Sequence, residues 1–164
     1  MNLLATIDIF KLYDLCAQLM DGHIHYGFGA KAAFTARPED IRSIDCSGFV
    51  RYFLYRVTDG AIRMPDGSVV QNDWCRRQGL DLVDYADAGR QDELVRIAFL
   101  PPRHGHAGHV WLIHMGKTLE SHGGKGPDRR AWDTPVLADN VQQCYVLATA
   151  PCIGDFVRAR ETYA

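Results

Sequence analysis

The chain has no C-x-x-C pair, no apolar run of membrane-spanning length, no low-complexity tract, no internal repeat and no marked excess of one charge. Each absence removes a class of function. Without closely spaced cysteine pairs there is no zinc ribbon and no dithiol redox centre. Without some eighteen consecutive apolar residues there is no membrane span. A formal net charge of -2, with Arg129-Arg130 as an isolated basic pair, offers no stripe that could track nucleic-acid phosphates. The segment from Met1 to Met20 carries Asp8, Lys11 and Asp14 inside its apolar pattern and does not read as a signal peptide. Synthesis in the cytoplasm is expected, with any export by another route. With no linker, 164 residues at 47% apolar content read as one domain, 1–164, able to bury a core without staples.

The residues that are present place helices first and strands afterwards. Leu3, Leu4, Ile7, Phe10, Leu12, Leu15 and Leu19 fall broadly on one helical stripe, predicting a helix over 3–20 that closes near Gly22. Phe49, Val50, Phe53, Leu54 and Val57 recur at helical spacing, so 46–57 reads as a second helix with Asp45 as its cap and Asp59-Gly60 as its stop. A third is predicted from about Val69 to Gln78, between Ser68 as cap and Gly79 as stop. Then come short β-rich runs at 80–83, 94–100, 109–114, 118–122 and 145–149, punctuated by Pro101-Pro102, Gly116 and Gly123-Gly124. The expected class is α+β, with N-terminal helices packed on a five- to six-stranded antiparallel sheet. Five cysteines is an odd count. Cys16 and Cys144 sit among apolar neighbours as small hydrophobes, and the pairing of Cys16, Cys75, Cys144 and Cys152 is left open.

Chemistry concentrates at Asp45-Cys46-Ser47-Gly48-Phe49-Val50 and at His109, which opens the strand Val110-Trp111-Leu112-Ile113. A cysteine at a helix mouth beside an imidazole is the setting in which a thiol becomes a nucleophile, because both neighbours favour the thiolate. With Gly116-Lys117 as a two-residue hairpin turn, Met115 faces Thr118 and Trp111 faces His122. His109, Trp111, Glu120 and His122 then share a face, and His122 lies diagonally across from His109. That placement offers His122 as the group orienting the imidazole, while His114 points to the opposite face. A different use of the same region is a metal cluster or non-catalytic binding module on His104, His106 and His109, with His114 and His122 nearby. The glycines of that loop and the lack of a completing cysteine or carboxylate weigh against it. No cofactor is expected. A zinc deaminase is excluded because Pro151-Cys152 lacks a second cysteine two residues on.

These residues resemble the NlpC family of papain-like cell-wall cysteine peptidases. The matching pieces are Asp45-Cys46-Ser47-Gly48-Phe49-Val50, Gly108-His109-Val110, His122 after the next hairpin, and Tyr26-Gly27-Phe28-Gly29 upstream. The resemblance implies a papain-like fold with Cys46 as nucleophile, His109 as general base and His122 as orienting residue. It also implies Tyr26 beside the thiolate, helping to hold the oxyanion, and Asp45 and Ser47 lining the acyl side, where a carboxylate receives a free peptide amine. The implied reaction is hydrolysis of peptidoglycan stem-peptide amides between D-glutamate and a diamino acid. The same triad would serve a papain-like lipid acyltransferase or hydrolase if Trp111 lined an apolar cleft. The chain departs from the family pattern in two places. The Tyr26-to-Cys46 gap is long, with Lys31 to Arg42 forming an extra lip, and Gln91-Asp92-Glu93 replaces the usual Pro-Gly-Asp. A catalytic domain without an export signal implies delivery to the wall by a phage particle or secretion machine, with a neutralising inhibitor as partner.

Overall fold

Asp8 decides where the first helix begins. In the computed structural model, which describes residues 1–135 and 143–151, the Asp8 carboxylate accepts from the Phe10 and Lys11 amides and caps α1 (Ile9–Leu19). The predicted start at residue 3 is therefore corrected. Residues 4–7 run beside the last strand instead, with the Leu4 and Ile7 amides donating to the Leu147 and Thr149 carbonyls. A side-chain oxygen that satisfies free helix-end amides outranks the apolar stripe that continues upstream of it.

Two short strands, β1 (His25–Tyr26) and β2 (Ser43–Ile44), pair in parallel and bring the tyrosine loop against the residues that precede Cys46. A 3-10 turn at Pro38–Asp40 lies between them. Next is α2 (Cys46–Val57), with the predicted limits and Asp45 as cap. Its Phe49, Val50, Phe53 and Leu54 are wholly buried. α3 (Ser68–Arg77) starts one residue earlier than expected, with Gly67 rather than Ser68 at the cap and Gly79 just beyond its end. α4 (Tyr85–Ala88) is a single turn.

The main sheet is antiparallel and five-stranded, in the order β6-β5-β4-β3-β7. Its members are β3 (Leu94–Leu100), β4 (His109–His114), β5 (Lys117–His122), β6 (Gly126–Asp128) and β7 (Gln143–Thr149). The run at 80–83 forms only a bridge, Leu82 to Tyr145. β6 was not anticipated: Gly126-Pro127-Asp128 carries no strand pattern. Gly126 has φ +96, and a Cβ there would meet the Ile24 carbonyl at 2.4 Å, so glycine is what lets β6 press against β1. α2 packs across β4 and β5. Alternate strand residues divide between two cores. Ile97, Phe99, Val110, Leu112, Leu119 and Leu147 join the helices, whereas Ala98, Leu100, Trp111, Ile113 and Cys144 gather around Ala88 and Trp132. No helix among the described residues is long and apolar enough to cross a membrane.

Candidate active site

Cys46 is the first residue of α2, and the turn that carries it is held from several sides. The Asp45 carboxylate accepts from the Gly48 amide at 2.6 Å and from the Gly29 amide at 3.1 Å. The Asp45 amide donates to the Ala30 carbonyl. From α3, the buried Gln71 amide donates to the Ser47 carbonyl at 2.9 Å. From β5, the Ser121 hydroxyl donates to the Ile44 carbonyl at 2.8 Å. A side chain fixed through its backbone in this way is held in one place at the mouth of the helix.

His109 is brought to the cysteine as predicted, and its ring is hydrogen-bonded to the Cys46 side chain. Its Nε2–H donates to Glu120 Oε1 at 2.9 Å, which leaves Nδ1 for the sulfur. Burial works against a charge on this imidazole. The bonds to Cys46 and Glu120 outweigh it, and the His109 pKa is raised to about 9. Glu120 is completely buried, which alone would favour its neutral form. Bonds from His109, Arg130 and Thr118 reverse that and hold its pKa at about 2. Arg130 grips both carboxylate oxygens, Nη2 at 2.7 Å and Nε at 3.1 Å. The ion pair is thus clamped from behind by a second cation, and His109 stays protonated across the neutral range.

The orienting partner of His109 is Glu120, which corrects the expectation of His122. The reason is the position of the turn. The hairpin reverses at Met115-Gly116, both with positive φ, and the strands pair as Leu112 with Leu119, Ile113 with Thr118 and His114 with Lys117. Moving the turn back one residue shifts the register by two, which preserves the face and changes the neighbour. Glu120 takes the diagonal place that a Gly116-Lys117 turn would have given His122. His122 contacts Asp128 at 2.9 Å and the Gly123 carbonyl at 3.0 Å instead. His114 is buried beside the ring of Tyr13, away from the site, as its alternation required.

The other expected residues gather at the cysteine. Tyr26, Asp45, Cys46 and Ser47 line one cleft of about 270 Å³ together with Phe28, Lys31, Val69, Val70 and Gly108. The Tyr26 hydroxyl pKa is raised by burial and then by the nearby Cys46 and Asp45, which keeps the phenol a proton donor. Trp111 is fully buried in the sheet core and lines no apolar cleft. The exposed His104 and His106 lie on a turn closed by Arg103, and among the described residues no three His, Cys, Asp or Glu side chains converge as metal ligands. Cys16, Cys75 and Cys144 are free and buried, and burial pushes their thiols up to about 11, 12 and 12. Cys152 lies outside the described residues.

No family model matches the chain, and no curated protein matches it. Solved structures do. The P60 domain of an antigen from M. avium subspecies paratuberculosis aligns with a TM-score of 0.53 at 18% identity, covering 85% of this chain and 93% of that one. A protein similar to an NLP/P60-family lipoprotein, from Staphylococcus aureus, aligns with a TM-score of 0.50 at 16% identity. That alignment covers 88% of this chain and 44% of the other. The fold is that of NlpC/P60 domains. In the long segment between Tyr26 and Cys46, Lys31 lines the cleft and folds back onto Asp45 at 2.6 and 2.5 Å and onto Ser47 at 2.7 Å.

Proposed function

We propose that the protein is a cysteine-type hydrolase of peptidoglycan stem-peptide amides, acting at the bond between D-glutamate and a diamino acid. The observation that carries this reading is the imidazole of His109 held between the Cys46 side chain and the buried carboxylate of Glu120. An imidazolium beside a sulfur favours its ionised form, and the ionised form is the nucleophile. In the first half-reaction the Cys46 sulfur attacks the amide carbonyl and a tetrahedral oxyanion forms. Tyr26, which lines the same cleft as Cys46, and backbone amides at the start of α2 would supply the donors for that charge. Protonated His109 then gives its proton to the departing amine as the carbon–nitrogen bond breaks, leaving a thioester on Cys46. In the second half-reaction neutral His109 takes a proton from water, which attacks the thioester and releases the acid.

Glu120 works through His109, fixing the ring and stabilising its charge, with Arg130 fixing Glu120 in turn. The setting we assign to the reaction is the cell wall. Cys46→Ala is expected to abolish release of the diamino-acid fragment from purified muropeptides, read by mass spectrometry. Turnover equal to that of the unaltered protein would remove the sulfur from the mechanism and the proposal with it.

A further inference from the structure

An acidic notch beside a nucleophilic cysteine is a natural receptor for a substrate ammonium, and Asp45 forms such a notch. Its state here is unusual. An ionised carboxylate offers about four lone-pair positions. Asp45 Oδ1 accepts from the Gly48 amide and Lys31 Nζ, and also from the Ser47 hydroxyl at 3.3 Å. Asp45 Oδ2 accepts from the Gly29 amide and from Lys31 Nζ. The ammonium of Lys31 is itself spent on the two Asp45 oxygens and on Ser47. No position is left on either partner for an incoming amine, and the pair is electrically neutral.

The lysine is built in. The Gly29–Lys31 segment is pinned to the helix mouth by the Asp45 amide on the Ala30 carbonyl. Gly48 makes room for it: a Cβ at position 48 would stand 2.8 Å from the Ala30 carbonyl and 3.0 Å from Lys31 Cδ. Beyond the ion pair the cleft turns apolar, with Phe28, Val69 and Val70 strongly exposed at its rim.

We infer that Lys31 is a specificity-determining residue that fills the amine subsite from within, so that the substrate is a stem peptide whose first nitrogen is acylated and uncharged. This rests on the hydrolase reading above and deepens it. The first nitrogen of a stem peptide is an amide while the peptide remains on the glycan, and becomes a free ammonium once an amidase has released it. A site without a vacant carboxylate rejects the second form, because an ammonium drawn into the cleft would lose water and meet Lys31. The protein therefore acts on glycan-linked stems, upstream of any amidase that would free them.

The test compares a disaccharide-linked muropeptide with the same stem peptide bearing its free amine, in the unaltered protein and in Lys31→Met. The unaltered protein is expected to prefer the glycan-linked form by at least about tenfold in kcat/KM, the worth of one charged hydrogen bond. Lys31→Met uncovers Asp45 and is expected to move the preference toward the free amine by a similar factor. Equal turnover of both forms by the unaltered protein, or a preference for the free amine, overturns the inference and leaves the hydrolase reading intact. A preference that Lys31→Met does not move also overturns it. Absence of turnover on either substrate defeats the hydrolase reading first, and this inference with it. Because the comparison within the unaltered protein needs no variant, misfolding of Lys31→Met does not rescue the claim.

Discussion

Glu120 and His122 are two residues apart on one strand, and the chemistry distinguishes them. Glu120 contacts the His109 ring, whereas His122 contacts Asp128. Glu120→Gln keeps the shape and removes the charge that stabilises the imidazolium. It is expected to lower kcat by about two to four orders of magnitude, as loss of the carboxylate does in serine triads. It should also shift the His109 limb of the pH–rate profile downward, a change that a merely structural defect would not produce. His122→Ala is expected to leave kcat/KM within about threefold of the unaltered value, well under 1 kcal/mol of transition-state energy. The opposite order of severity, measured on one muropeptide, would return the orienting role to His122. The meeting of Cys46 with His109 is legible in the sequence because Asp45-Cys46-Ser47-Gly48 and Gly108-His109-Val110 carry local signals. The third residue is not. Its identity hangs on whether a hairpin turns at 115–116 or 116–117, and Met115 adopts a positive φ that its side chain does not advertise.

At the scale of an element, α2 is the one that positions the chemistry, and Gly48 is its most constrained member. Glycine inside a helix costs about 1 kcal/mol relative to alanine, so Gly48→Ala on propensity alone would stabilise. Here the new methyl would stand 2.8 Å from the Ala30 carbonyl and 2.9 Å from Asp45 Oδ1. Neither is the free end of a flexible side chain, so the clash wins. Gly48→Ala is expected to destabilise by about 1–3 kcal/mol, the usual cost of overpacking, read from the urea midpoint at unchanged slope. A higher midpoint would mean that the 29–31 segment yields and is not clamped. The limits of α2 were readable because cap, apolar period and glycine stop agree, and β3, β4 and β7 because their runs are long and buried. The start of α1 was misread where stripe and cap disagree. β1, β2 and β6 were invisible, being two or three residues long and made by contacts distant in the chain.

For the molecule as a unit, the buried His114 and Glu120 and the half-buried His109 contribute to how stability depends on pH. His114 is buried and lies near the Arg129 cation, and its pKa falls from 6.5 to about 4. Between those values the unfolded chain holds the proton more tightly, so stability declines as pH falls from 6.5 toward 4. Glu120, lowered from 4.5 to about 2, adds stability above 4.5 that is lost as pH falls through 2. His109, raised from 6.5 to about 9, contributes fully below 6.5 and loses its contribution as pH rises through 9. Thermal stability is therefore expected to peak near pH 6.5 and fall on both sides. His114→Leu should flatten the acid limb between 6.5 and 4, and an unchanged limb in that variant would remove His114 from the account. The whole-molecule class, helices on an antiparallel sheet, followed from the order of elements. The Lys31–Asp45 pairing did not, since nothing local marks which lysine of a loop returns to a helix mouth. The proposed hydrolase depends on His109 and Glu120 activating Cys46 alone among the five cysteines. The most direct measurement is iodoacetamide labelling at pH 6 with every cysteine mapped by mass spectrometry, for the unaltered protein and for His109→Ala. Rapid labelling is expected at Cys46, with negligible labelling of Cys16, Cys75 and Cys144, whose thiols burial pushes up, and loss of the Cys46 advantage in the variant. Labelling of Cys46 at the same rate with and without His109 would contradict that activation.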